Sequence, residues 1–297
     1  MLINNEFNEE KIQSPLQYIW SIFKTNNIAF TAMWGAIILV FIALFADFIA
    51  PYSASEQAVK QFLLPPSWAE GGNSLNILGT DALGRDYLTR LLQGVQLTLG
   101  GALLITVSIS ILGTIVGATA ALTKGVKASI LHHLLDTFLI IPTLLTALIL
   151  IVIFGASYEN CLMAVSLSLL PQFIRGIYIG IEGELNKQYI IALRLDGATN
   201  IRLLRFGILP NMMEPMVTLL NRIFTLAILE ISTLGFLGFG SQFFDAELGA
   251  LIANSIELIF SSPGLVLFPG FAIFTIILIF NIFAEGLRHA IIDVEDE

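Results

Sequence analysis

The sequence predicts an all-α, polytopic membrane protein with six transmembrane helices, from its composition and its long uncharged stretches. Of the 297 residues, 56% are hydrophobic and 12% are charged, and the mean hydropathy is +0.84. Soluble domains have roughly twice that charged fraction. A membrane-spanning helix needs about 20 apolar residues, and the chain has enough uncharged stretches of this length. The net charge of −9 argues against nucleic acid as a partner.

The apolar stretches divide the chain into spans and polar segments. We expect spans over residues 28–49, 97–122, 130–154, 160–181, 216–239 and within 258–284. The domains are then an N-terminal tail (1–27), a first span (28–49), an external segment (50–94), a five-helix core (95–284) that includes a cytoplasmic loop (188–211), and a C-terminal tail (285–297). Of the 14 lysines and arginines, only Lys60, Arg85 and Arg90 fall on the external side. This bias predicts that both termini are cytoplasmic.

Residues 188–211 form a long mixture of polar and apolar residues between two very hydrophobic regions. The apolar spacing predicts a first short helix from about residue 189 to residue 196. Gly197 suits the end of that helix because glycine adopts a positive φ without steric cost. Thr199 or Asn200 can cap a second helix, which we expect Pro210 to stop.

This loop resembles the cytoplasmic loop of bacterial ABC-transporter permeases. Their signature runs Glu-Ala-Ala, three residues, Gly, nine residues, Ile, one residue, Leu-Pro. The chain departs from it at Ile191, Leu193 and Gly207, where that family has Glu, Ala and Ile. In that family the loop is a coupling helix held in a cleft of an ATP-hydrolysing subunit, and an ordinary amphipathic loop is the alternative. The resemblance implies an ATPase-coupling role for Ile191, Ala192, Leu193, Asp196, Gly197, Ala198, Leu209 and Pro210.

A second motif, Gly-Thr-Asp-Ala-Leu-Gly-Arg-Asp at residues 79–86, precedes the second span. Two glycines permit a tight backbone, and the Asp and Arg side chains can pair or cap a helix. A solvated loop is the alternative. The motif is similar to the signature of the second permease subunit in dipeptide and oligopeptide ABC transporters. Its defining residues here are Gly79, Thr80, Asp81, Leu83, Gly84, Arg85 and Asp86.

Three further stretches narrow the resemblance. Residues 63–68 and 194–198 look like the Sap permeases, named for sensitivity to antimicrobial peptides. Residues 234–238, Leu-Gly-Phe-Leu-Gly, match the wider peptide-permease family. That family continues with prolines and a Trp-Gly pair, of which residues 246–249 keep only the Gly, so we place no peptide-specific role on that loop.

Charged groups within or near the spans are the remaining candidates. Arg222 and Glu230 lie in the fifth span, about 12 Å apart along a helix, too far for a direct pair. They are translocation-path candidates, with structural pairing or snorkelling as the alternative. His132, His133 and Asp136 open the third span and predict a polar helix start. We also expect acids left on the external side by charge bias, with an acidic mouth for cationic solutes as the alternative: Asp47, Glu56, Glu70, Asp81, Asp86, Glu159, Asp245, Glu247 and Glu257.

The resemblance implies the type I ABC importer permease fold and a location in the bacterial inner membrane. It implies a second, homologous permease, two ATP-binding subunits, a periplasmic solute-binding protein and membrane lipid as partners. The chain has no phosphate-binding Gly-x-x-x-x-Gly-Lys-Ser/Thr motif, so we expect no cofactor and no catalysis here, with ATP and Mg²⁺ in the partner subunits. We expect a peptide, including cationic antimicrobial peptides, as the solute. A polyamine or haem is the alternative, and a membrane-embedded enzyme is a more distant one.

Overall fold

The structure is a computed structural model that describes residues 15–52, 62–123, 135–240 and 246–295. Apart from one isolated bridge between Thr80 and Asp86, the regular structure of these residues is helical. This confirms the predicted all-α class. The helices are α1 (Pro15–Thr25), α2 (Asn27–Ile49), α3 (Tyr87–Leu122), α4 (Thr143–Phe154), α5 (Tyr158–Leu185), α6 (Gln188–Leu195), α7 (Met213–Phe236), α8 (Leu248–Ser255) and α9 (Gly264–Glu295).

Within the described ranges, five helices are long and apolar enough to cross a membrane: α2, α3, α5, the run Pro210–Phe236 that contains α7, and α9. The third predicted span is not one continuous helix. Residues 135–140 are helical, the helix is interrupted at Ile141 and Pro142, and α4 begins at Thr143. Proline disfavours a helical conformation of the preceding residue and donates no hydrogen bond. With 12 residues, α4 rises about 18 Å. The start of this span, including His132 and His133, lies outside the described residues.

Two helices extend beyond the predicted spans, for different reasons. Asp86 caps α3, so this helix begins at Tyr87 rather than near residue 97. No breaker follows residue 284, and α9 continues to Glu295. Residues 285–295, which we expected to be a tail, are therefore a continuation of the last helix, in which Ala290 and Ile291 are buried with residues of α1.

The centre of the bundle is the packing of α3 against α5 and α7, and close approach of α3 to α5 depends on two glycines. A Cβ atom on Gly113 would lie 2.5 Å from Cδ1 of Phe173, and one on Gly117 would lie 2.8 Å from Cγ2 of Ile177. Both distances are too short for a side chain, so these glycines allow the aromatic and branched side chains of α5 to pack directly on the α3 backbone. Small residues at such spacing commonly permit close helix contact in membranes.

The two ends of the bundle carry different structure. We call the end with α1 and the last turns of α9 the terminal end. The start of α7 lies there too, because the Arg288 guanidinium is 3.2 Å from the Glu214 carboxylate. We call the opposite end, with residues 62–86 and the starts of α3 and α9, the far end. There the Tyr87 hydroxyl donates a hydrogen bond to the backbone oxygen of Leu265.

Candidate functional sites

The coupling segment, residues 188–211, lies at the terminal end between α5 and α7. Its helix α6 closes with a Schellman motif, in which the Gly197 N–H donates to the Arg194 carbonyl and the Ala198 N–H to the Leu193 carbonyl, both at 3.0 Å. Gly197 has a φ of +82°, as the sequence predicts. The chain therefore reverses at a position where a side chain would strain the backbone.

The second half of the coupling segment is helical but not a regular α-helix. Thr199 accepts a hydrogen bond from the Arg202 N–H and caps one helical turn, and residues 203–208 then widen into a π-helical turn. Pro210 does not stop the helix, contrary to expectation, but begins a 3₁₀ turn that leads straight into α7. The Leu209 N–H donates to the Leu204 carbonyl five residues earlier, as in a π-helix. Pro210 has no N–H, so the hydrogen-bond ladder has a gap at the next position.

The apolar side chains of the coupling segment fall into two groups. Ile190, Leu203 and Ile208 are buried and hold the segment to the bundle. A second group is exposed, and we call it the coupling surface. It consists of Ile191, Leu195, Ile201 and Phe206, which are 50%, 83%, 79% and 70% exposed.

The other residues predicted to couple to the ATPase differ in exposure. Ala198 and Leu209 are half-buried, and five are exposed: Ala192, Leu193, Asp196, Gly197 and Pro210.

Sequence reasoning missed a polar cluster at the base of this segment. The Tyr189 hydroxyl donates to the Glu184 carboxylate at the end of α5 and lies 3.2 Å from the Gly207 carbonyl oxygen. The Asn211 side-chain amide donates to that carbonyl at 2.6 Å and to the Tyr189 hydroxyl at 3.1 Å. No spacing rule links residues so far apart in sequence, and the π-helical turn that brings them together has no sequence signature.

The far-end motif at residues 79–86 is buried except for Ala82 and Leu83, so it is not a solvated loop. The Asp81 carboxylate accepts from the backbone N–H groups of Leu83 and Arg85, both at 2.9 Å, and from Arg85 Nε at 2.7 Å. Arg90 Nε lies 3.6 Å from the same carboxylate. Buried charges are stable only when they are paired and hydrogen-bonded, and Asp81 meets both conditions.

The rest of the far-end motif fastens α3 to the segment before it. The Asp86 carboxylate accepts from the N–H and the hydroxyl of Thr89 at 2.9 and 2.8 Å, and from the Asn76 side-chain amide at 2.9 Å. Gly79 has a φ of +84°, and a Cβ there would lie 2.1 Å from the Leu64 carbonyl oxygen. The motif is therefore a compact, hydrogen-bonded turn that fixes the first residues of α3 to the preceding segment.

The two charged candidates of the fifth span have opposite surroundings. Glu230 is 4% exposed, and its carboxylate accepts from the Ser168 hydroxyl of α5 at 3.1 Å. Arg222 is exposed, about 80° around α7 from Glu230. In the amide orientation that satisfies both groups, the Gln172 side-chain oxygen accepts from Arg222 Nε and Nη2 at 2.9 and 2.8 Å. Only Arg222 therefore lies on an open surface of the chain.

Glu247 is the most deeply buried carboxylate of the far end, with no exposed area. It caps α8 by accepting from the N–H groups of Gly249 and Ala250 at 2.9 and 3.0 Å, and its Oε1 accepts from the Thr98 hydroxyl at 3.2 Å. The backbone of Gly235, in the Leu-Gly-Phe-Leu-Gly stretch, packs directly on this carboxylate. Residues 246–249 thus have a structural role despite lacking the family's proline and tryptophan.

These contacts argue against the alternative of a broad acidic mouth. Asp81, Asp86 and Glu247 are buried and satisfied within the chain, and Glu56 and Asp245 lie outside the described residues. Asp136, expected at a polar helix start, forms an ion pair with Arg175 of α5 at 3.1 Å. In the described ranges no three His, Cys, Asp or Glu side chains are grouped as metal ligands. The acids that stay exposed on the predicted external side are Asp47, Glu70, Glu159 and Glu257.

The chain is similar to known transport proteins along nearly its whole length. Residues 84–292 match a family model described as binding-protein-dependent transport system inner membrane component, and residues 14–66 match the N-terminal TM domain of oligopeptide transport permease C. The chain is 42% identical over 288 residues to the peptide transport system permease protein SapC of Haemophilus influenzae, covering 97% of this chain and 98% of that protein.

Two further likenesses agree with these matches. Identity is 38% over 278 residues to the dipeptide transport system permease protein DppC of Escherichia coli K12, covering 94% of this chain and 93% of that protein. A solved structure of the MetNI methionine ABC transporter in an inward-facing conformation matches with a TM-score of 0.56 and 17% identity. That match covers 68% of this chain and 95% of the other, and at this identity it is a likeness of fold.

Proposed function

We propose a function from one premise: this chain belongs to the family of binding-protein-dependent transport system inner membrane components, and is a multi-pass ABC-transporter permease with the type I importer fold. The resemblance drawn from its motifs is thereby confirmed. We infer that the chain forms one half of a pathway for peptides across the bacterial inner membrane. In this proposal ATP hydrolysis by two partner subunits drives transport, and the permease itself catalyses no reaction.

The observation that carries the proposal is the coupling surface. Leu195 and Ile201 are among the most exposed large apolar side chains of the chain, yet they lie between arginines rather than on an uncharged span. Arginines nearby keep this surface out of the hydrocarbon, so lipid is not a suitable cover for it. Burial of each side chain in a protein cleft would contribute about 1.5–3 kcal/mol. A soluble subunit docked at the terminal end satisfies both conditions.

One face of α7 supports a second permease as partner. Thr218, Arg222, Leu229 and Phe236 are exposed and fall within a narrow arc of the helix. A charged and hydroxyl-bearing stripe at membrane depth faces water or protein rather than lipid. We therefore place this stripe, and with it Arg222, toward the second permease and the pathway between the two. Glu230 lies about 80° around the helix from Arg222 and is enclosed within this chain, against Ser168 of α5.

The remaining parts of the proposal follow from the relatives. The proteins of similar sequence are named as peptide and dipeptide permeases, which favours a peptide over the polyamine or haem alternatives. We propose that a periplasmic solute-binding protein docks at the far end and that both termini are cytoplasmic. Cationic antimicrobial peptides are the narrower candidate solute, and a binding screen of the cognate solute-binding protein against peptide, polyamine and haem panels tests it.

The experiment that tests ATPase docking removes apolar area from the coupling surface. In the tagged permease, Leu195→Ser with Phe206→Ser should lower co-purification of the ATP-binding subunits more than tenfold, because two buried side chains are lost at about 1.5–3 kcal/mol each. The matched control is Leu75→Ser with Phe260→Ser at the far end, where the side chains are 65% and 99% exposed. This control should leave co-purification unchanged.

Equal recovery of the ATP-binding subunits with both double variants would contradict docking on the coupling surface. Recovery of no ATPase with the unmodified chain would contradict the transporter proposal as a whole. Membrane abundance of each variant, measured by immunoblot, separates a docking defect from loss of the permease itself.

A further inference from the structure

The polar cluster at the base of the coupling segment joins three elements that the transport proposal requires to move together. We call it the Tyr189 clamp: Glu184, Tyr189, Gly207 and Asn211. Glu184 lies in the last turn of α5, Tyr189 in the first turn of α6, Gly207 in the π-helical turn, and Asn211 in the 3₁₀ turn before α7. The clamp therefore connects the end of one spanning helix and the start of the next to the coupling helix between them.

The Gly207 carbonyl explains why the clamp has this composition. The π-helical turn and Pro210 interrupt the regular ladder around Gly207, so backbone carbonyls there need other donors. The Asn211 amide supplies one at 2.6 Å, and the Tyr189 hydroxyl oxygen lies 3.2 Å away. A Cβ on Gly207 would lie 3.0 Å from Cδ1 of Ile190, so the absence of a side chain lets α6 approach.

The other side of the clamp is a charged anchor. Glu184 is 7% exposed, and its carboxylate is 2.6 Å from Lys187 Nζ. This ion pair holds the carboxylate that accepts the Tyr189 hydrogen bond. Burial, followed by the hydrogen bond and the charge of Glu184, raises the pKa of Tyr189 to about 12. The hydroxyl is therefore protonated at neutral pH and donates to Glu184. Hydrogen bonds to charged groups are directional and stronger than neutral ones.

We propose that Tyr189 and Asn211 are positioning residues that hold α6 at a fixed angle to α5 and α7, so that displacement of the coupling surface moves both spanning helices. This inference rests on the proposed ATPase docking. The segment's other attachments, Ile190, Leu203 and Ile208, are apolar contacts, which resist separation but fix direction poorly. Without the clamp, the coupling surface rotates on this apolar base and the far end responds less.

The test follows the motion at two places, with ATP and vanadate as the probes. Cys161, the chain's only cysteine, is replaced by Ser. Spin labels are then attached in separate samples at Asn200→Cys on the coupling segment and at Phe260→Cys at the far end. Each sample is the complex with cysteine-free ATP-binding subunits in lipid nanodiscs. In the parent complex, both labels should change their spectra when ATP and vanadate are added.

Tyr189→Phe removes only the hydroxyl. We expect the label at residue 200 to respond as in the parent and the response at residue 260 to fall at least fivefold, with ATPase co-purification unchanged. Tyr52→Phe is the matched control, since that hydroxyl donates to the Leu75 carbonyl oxygen at the far end, at 3.3 Å. It should leave both responses intact.

Asn211→Ala is the second variant, and it carries the test if Tyr189→Phe lowers membrane abundance. In the double variant, the response of the label at residue 260 should fall no further than in either single variant, because both substitutions act through one cluster. A response at residue 260 within twofold of the parent in both single variants would overturn the inference. A merely structural role would instead reduce both labels' responses together, and this result also overturns it. Failure of the unmodified chain to retain ATPase refutes the docking proposal instead, which separates the two.

Discussion

Gly235→Ala tests whether the Glu247 carboxylate is fixed against the backbone of α7. A Cβ at residue 235 would lie 1.6 Å from Oε2 and 2.6 Å from Cδ of Glu247. Both are far inside van der Waals contact, and the Ala250 backbone nitrogen lies only 3.3 Å from the same Cβ position. The carboxylate must therefore leave its place, and with it the cap of α8.

The cost can be estimated from the bonds that are lost. The N–H groups of Gly249 and Ala250 lose their acceptor in a buried site, at about 1–3 kcal/mol for each group. Replacing a glycine by alanine within a helix stabilises the helix by about 1 kcal/mol, which offsets part of this loss. We expect a net loss of about 3 kcal/mol, which would lower the midpoint of thermal unfolding by roughly 6–12 °C on the scale of soluble domains of similar size.

The chain supplies its own reporter for this measurement. Cys161 is the only cysteine and has no exposed area, so a thiol-reactive fluorogenic maleimide labels it only as the bundle opens. Heating the purified chain in detergent with this reagent gives the midpoint. Gly100→Ala is the control, because a Cβ there meets nothing within 4 Å. It should keep or raise the midpoint.

A midpoint for Gly235→Ala equal to that of the unmodified chain would refute the role assigned to Glu247. Combining Gly235→Ala with Glu247→Ser should recover part of the loss, because serine also caps helices and leaves room for the new methyl group. A double variant as unstable as the sum of its single variants would point to a different cause.

Two further predictions concern the buried carboxylates. Asp81→Asn removes the charge that pairs with Arg85 at 2.7 Å and should lower the free energy of unfolding by about 3–5 kcal/mol. We expect lower membrane abundance by immunoblot, whereas Glu70→Gln, at an exposed position, should leave abundance unchanged. Equal abundance of the two variants would contradict the structural role of the motif. Glu230→Gln keeps an acceptor for the Ser168 hydroxyl. Because Glu230 is enclosed in this chain and lies off the stripe that we place toward the pathway, both abundance and the ATP hydrolysis stimulated by the solute-binding protein should hold. A fall in hydrolysis at unchanged abundance would contradict this placement and assign Glu230 to the pathway.

The sequence predicts well those features that local physics decides. The apolar stretches place five of the spans, because the length needed to cross a bilayer is set by helix geometry alone. The reversal at Gly197 is likewise local, since positive φ favours glycine whatever surrounds it. The interruption at Pro142 was not predicted, since the third span was expected to run unbroken over residues 130–154, although proline is a residue type that breaks helices.

Features that depend on distant contacts could not be predicted. Asp81 and Glu247 read as external acids, and only the neighbouring elements show that they are buried and hydrogen-bonded. The Tyr189 clamp requires a π-helical turn to align residues on three elements. Arg222 and Glu230 were both translocation-path candidates in the sequence, and the packing of α7 against α5 leaves one exposed and the other enclosed.

The length of α3 sets the height at which a partner meets the far end. Its 36 residues rise about 54 Å, whereas the hydrocarbon layer is about 30 Å thick. The helix stays apolar up to Leu122, so most of the length not needed to cross the hydrocarbon is at its N-terminal end, on the far-end side. In the docking proposal, the motif at residues 79–86 is therefore carried beyond the hydrocarbon by a rigid helix, and α3 fixes its distance from the terminal end of the bundle.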